Sequence, residues 1–101
     1  MARVESIATL LQREVADYVL GSPNSTAYYV ENSQQQIYAV LVVPHENAQK
    51  STIMILARIV QDKVIIETDK TDRPLYEALI QAGIPQQHIV LAYAGETQPM
   101  A

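Results

Sequence analysis

The sequence has no cysteine, no tryptophan and no phenylalanine, and only three glycines in 101 residues. Without cysteine there is no disulfide framework, no thiolate zinc site and no cysteine nucleophile. Neither GxGxxG nor GxxxxGK(S/T) occurs, and so few glycines leave no phosphate-cradling loop. Charge is also scarce. Charged residues make up 18% and hydrophobic ones 49%, where an ordinary domain carries about a quarter charged. Either Gln, Ser, Thr and Asn coat the surface, or a partner covers some apolar surface. The N-terminus lacks a basic and apolar signal pattern, and no apolar run approaches the ~18 residues of a spanning helix. The expectation is a cytoplasmic protein with no membrane contact.

Seven basic residues stand against eleven acidic ones, for a net charge of −4. The bases are scattered, mostly beside an acid, so no patch forms that could hold duplex phosphates against the overall repulsion. Direct duplex DNA binding is not expected.

A length of 101 residues suits a single domain with one modest core. Val4, Ile7, Ala8, Leu11, Val15, Tyr18 and Val19 recur at helical spacing, with polar residues opposite, and Gly21 is placed to end that helix. Four strands are predicted next, over Thr26–Glu31, Gln36–Val43, Ser51–Val60 and Lys63–Glu67, the last two joined by a tight turn at Gln61-Asp62. Thr71 or Asp72 is predicted to cap a second helix, with Pro74 in its first turn. Gly83 stands at its left-handed C-terminal position, Ile84 is placed to fold back on Leu79, and Pro85 prevents continuation. Ile89–Tyr93 reads as a last short strand, and the tail after Gly95 carries no structural signal. The fold class is therefore α+β: an N-terminal helix, a four-stranded antiparallel sheet, a second helix and a short final strand. The second and third strands are apolar on both faces, yet two helices cover only one. A second copy of the chain is the simplest cover for the other, so a homodimer is expected.

The densest polar stretch contains Glu67, Asp69, Lys70, Thr71, Asp72 and Arg73. Three carboxylates there could hold a divalent cation, but an acidic segment before a helix is accounted for by capping and the helix dipole. His45 and His88 lack a serine nucleophile in a strained elbow, and both read as loop residues. The six tyrosines, without a basic groove beside them, read as core and interface residues.

The C-terminal half resembles a known family. Lys63 to Asp72, then Leu79 to Pro85, then Ile89-Val90-Leu91 resemble the XisI family, the fdxN-element excision controlling factors. Members tend to show a strand ending in an Asp-Gly-Thr-Glu-like segment, a helix ending in Ala-Gly-Ile-Pro, then Ile-Val-Leu. Asp69, Thr71 and Asp72 stand at the Asp, Thr and Glu of that pattern. Lys70 replaces the Gly, Ile65 stands where Trp is frequent, and Ala94-Gly95-Glu96 replaces His-Pro-Pro. The resemblance extends more weakly over the rest of the chain. It implies a non-catalytic accessory protein that acts with an XisH-like partner in controlling a site-specific recombinase, with no cofactor.

The residues expected to meet a partner are therefore Asp69, Thr71, Asp72, Pro85 and His88, at the two ends of the second helix. Two rivals are a small-ligand-binding domain with a pocket between sheet and helices, and a metal-dependent enzyme using Glu67, Asp69 and Asp72.

Overall fold

The computed structural model describes residues 6–46 and 50–97. Helix α1 (Ile7–Ala16) begins at Ser6, whose hydroxyl oxygen accepts the Thr9 N–H at 3.1 Å. It buries Leu11 and Val15. Val4 lies outside the described residues. The helix stops well before Gly21, which does not take a positive φ. It ends by tightening instead: Tyr18 N–H donates to Val15 and Val19 N–H to Ala16, both three residues back. Tyr18 is thereby turned into the core, where it is buried.

Five strands follow in one sheet, in the order β1-β2-β3-β4-β5: β1 (Ser25–Asn32), β2 (Ile37–Pro44), β3 (Thr52–Val60), β4 (Lys63–Asp69) and β5 (Ile89–Leu91). The first four form an antiparallel meander, and β5 returns through helix α2 (Leu75–Ala82) to lie parallel to β4. The turn at Gln61-Asp62 has φ of 52° and 62°, the mirror-image pair that suits the twist of a two-residue hairpin. Neither residue is a glycine, so the turn carries local strain. Bulges interrupt the pairing of β2 with β3 between Val40 and Leu41, and of β3 with β4 between Leu56 and Ala57.

Both helices lie on one face of the sheet. Leu11 and Val15 of α1 and Leu75 and Leu79 of α2 form one cluster with Tyr38, Val40, Ile55, Ala57, Val64 and Ile66. The alternate residues of β1 to β3 form the opposite, outer face. At the β4 end, Ile65 is fully buried even though it lies on the outer face, between Arg58 and Val90 in register. There Arg58 Nε and Glu67 Oε2 form an ion pair at 2.7 Å.

The tail is tied further than expected. A 3-10 turn over Ala92–Ala94 ends at Gly95 (φ 87°) and packs against β4. The Glu96 carboxylate then accepts the Leu91 N–H at 2.7 Å.

Gly83 ends α2 with φ of 111°; its N–H donates to Ile80, and that of Ile84 to Leu79. This is the paired closure predicted from Gly83-Ile84-Pro85. Gly83→Val should lower unfolding free energy by about 1–2 kcal/mol, because a β-branched residue resists this conformation. Urea denaturation of both proteins measures it, and equal midpoints would contradict the capping argument.

Candidate functional site

The Asp69–Asp72 segment leaves the sheet where β4 ends. Asp69 pairs with Ile55 in register, on the helix face, so its carboxylate points toward the start of α2. Oδ2 accepts the Leu75 N–H at 2.7 Å, and Oδ1 accepts the Thr71 N–H at 3.0 Å. Thr71 Oγ1 lies 2.6 Å from Oδ1 and 2.8 Å from the Arg73 carbonyl oxygen; its single hydrogen serves one acceptor at a time. Neither Thr71 nor Asp72 caps α2, and Pro74, the residue at the boundary, offers no capping side chain. Asp69 does the work from six residues away. Pro74 stands just outside the helix in an extended conformation (φ −57°, ψ 130°) instead of in its first turn, so the helix begins at Leu75, whose N–H meets the Asp69 carboxylate.

The same loop is tied to α1. The Tyr18 hydroxyl donates to the Arg73 carbonyl at 2.6 Å. The Arg73 guanidinium sits 4.5 Å from the centre of the Tyr18 ring and reaches Asp17 Oδ2 at 3.2 Å. Burial pushes the Tyr18 hydroxyl above its ordinary value, against the lowering influence of the Arg73 charge, so it stays protonated and donates. The hydrogen bond to Asp17 holds the Arg73 guanidinium above its own ordinary value. Asp17, Tyr18 and Arg73 were not among the predicted site residues. Fifty-five positions separate Tyr18 from Arg73, and no local pattern announces such a contact.

At the other end of α2, Pro85, Gln86 and Gln87 are exposed. Pro85 and Gln86 border a shallow groove of about 460 Å³ that Tyr76, Ile80 and Ile84 help to line. His88 Nδ1 lies 3.1 Å from the Asp62 carbonyl. A carbonyl only accepts, so Nδ1 carries the hydrogen, and His88 pins the strained β3–β4 turn. Thus Asp69, Thr71 and Asp72 are brought together, while Pro85 and His88 lie beyond α2, whose eight residues span about 12 Å.

The metal reading loses its geometry. Glu67 is held by Arg58, and Asp69 by Leu75 and Thr71. Among the described residues, no group of three His, Cys, Asp or Glu side chains is gathered to hold a metal ion. The ligand reading has a cleft of about 300 Å³ bordered by Tyr18, Ala27, Val42, Met54 and the 70–73 segment. The polar groups at its rim are already engaged within the fold: the Tyr18 hydroxyl with the Arg73 carbonyl, Thr71 with Asp69, and the Arg73 guanidinium with Asp17. No helix of the described residues is long and apolar enough to cross a membrane.

The hydrogen bonds of Asp69 to Leu75 and Thr71 give it a structural role at the start of α2. Asp69→Ala should destabilise the fold by about 0.5–2 kcal/mol, as lost caps do. Asp72→Ala, at an exposed position with no capping bond, should change it by less than about 0.5 kcal/mol. Denaturant unfolding of the two variants side by side distinguishes them, and equal effects would contradict the assignment of the cap to Asp69.

Two solved structures share this architecture. One is a XisI-like protein from Anabaena variabilis ATCC 29413, 22% identical, with 84% of this chain and 78% of that chain aligned at a TM-score of 0.67. The other is the fdxN element excision controlling factor XisI from the same organism, 23% identical, with 85% of this chain and 88% of that one aligned at a TM-score of 0.72. At these identities the likeness speaks for the fold. No curated protein matches the chain. The model of the XisI protein family, however, matches residues 1–99, nearly the whole length, and on that match the chain belongs to the XisI family.

Proposed function

We propose that this chain is a non-catalytic accessory protein that takes part in the control of site-specific DNA excision through protein–protein contacts. The observation that carries the reading is family membership over residues 1–99, with the same fold as a protein named an excision controlling factor. Its chemistry is in keeping. The net charge of −4 disfavours phosphate contact, and no metal-binding cluster occurs among the described residues.

The partner is an XisH-like protein. Of the five residues singled out from the sequence, Asp69 and Thr71 spend their polar groups on each other and on α2. His88 is half-buried and engaged with Asp62. Asp72 and Pro85 are exposed and remain available for contact. On this reading the loop-facing acid and the Pro85 segment meet the partner, while Asp69, Thr71 and His88 hold those segments in place.

Co-expression with an XisH-like protein tests it. The tagged chain should retain that protein through size exclusion, and Asp72→Ala should weaken retention without lowering the melting temperature. The chain alone should not shift a duplex at physiological salt. Failure to retain any XisH-like protein, or tight duplex binding that survives competitor DNA, would sink the proposal.

A further inference from the structure

The outer face of β1 to β3 is apolar and open. Tyr28 is 51% exposed, Val30 44% and Ile53 43%, and Ile37 and Val43 are also exposed. The strand registers put all five on this face, opposite the helices. The opening is confined to these strands, since Ile65 and Val90 beyond them are buried.

We infer that this face is the contact between two copies of the chain, stacked sheet on sheet about a two-fold axis. Three observations favour a second copy as the occupant. The first is relief. Tyr28, Leu41 and Ile53 form one row across the strands, and Val30, Ala39 and Leu56 form the next. The first row carries the large, projecting Tyr28; the second dips at Ala39, which is 6% exposed. A two-fold axis diagonal to the strands, passing midway between Tyr28 and Ala39, seats each copy's Tyr28 over the other's Ala39 in a crossed sheet packing, which makes one surface its own complement. The second is charge. The chain carries −4, so most of its surface repels a copy of itself. On β1 to β3 the outer face carries one charge, Arg58, and that is neutralised by Glu67. The third is area. Strands of eight or nine residues at the usual rise and spacing present about 400–600 Å² per copy. The pair then buries about 800–1,200 Å², below the standard size of a stable interface and in the range of weak, transient ones. Self-association is accordingly reversible and concentration-dependent. It involves neither Asp72 nor Pro85, so it stands or falls apart from the partner contact proposed above.

Sedimentation velocity on the purified full chain alone tests it. A species of twice the 11.2 kDa monomer mass should dominate at about 100 µM and dissociate on dilution toward about 1 µM. Val30→Lys with Ile53→Lys should give monomer throughout, whereas Ile80→Lys, on α2, should leave the dimer intact. A second measurement covers the case in which the double variant does not fold. In the unmodified chain, methyl signals of Val30 and Ile53 should be shielded from a soluble paramagnetic agent at high concentration and bleached on dilution, while Leu20 is bleached at both. A monomer at about 100 µM overturns the inference. So does a dimer indifferent to the double substitution, or shielding that appears only when an XisH-like protein is added.

Discussion

A single carboxylate joins the two halves of the core. Asp69 closes β4 and at the same time receives the first helical N–H of α2, so strand end and helix start are held on one side chain. Burying Leu75 and Leu79 against Val64 and Ile66 depends on α2 setting off in the direction this bond dictates. The loop so formed is then clamped to α1 by the Tyr18 hydroxyl and the Arg73 guanidinium. The polar ties of the helix layer thus rest on one short acid and one tyrosine, in a chain with few charged residues. Charged hydrogen bonds of this kind are among the stronger ones, and here each organises many apolar contacts behind it.

Much of the fold was legible because it rests on local rules. The 3.6-residue spacing of Leu11 and Val15, the β-branched runs of β2 to β4, the Gln61-Asp62 turn and the Gly83-Ile84-Pro85 stop each act within a few residues. The end of α1 was misread because Gly21 is a good terminator that the chain does not need. Tyr18 is drawn into the core first, and the helix has tightened and ended before Gly21 is reached. The parallel pairing of β5 was not specified by any pattern in Ile89-Val90-Leu91, since direction follows from where α2 delivers the chain.

The candidate site was legible as a segment and not as a set of roles. Asp69, Thr71 and Asp72 were found by resemblance and by acidity before a helix. Position along the chain suggested that the residue nearest the helix would cap it. With the helix beginning only after Pro74, Asp69 meets its first N–H and Asp72 is left in solvent. Arg73 and Tyr18 escaped notice because their contact is tertiary, and an exposed arginine beside an acid looks the same whether or not a ring lies beneath it.

In the sheet, every neighbour in space among β1 to β4 is a neighbour in sequence. Each hairpin can therefore close over a short loop before the next one forms, and the entropy of closure is paid in small instalments. The contacts that reach across the chain, such as those of Tyr18 and Asp17 with Arg73, can wait until the meander exists. Such a topology has a low barrier to assembly and folds quickly for a protein rich in strands. It spends little time with β2 and β3, both apolar on two sides, exposed to other chains.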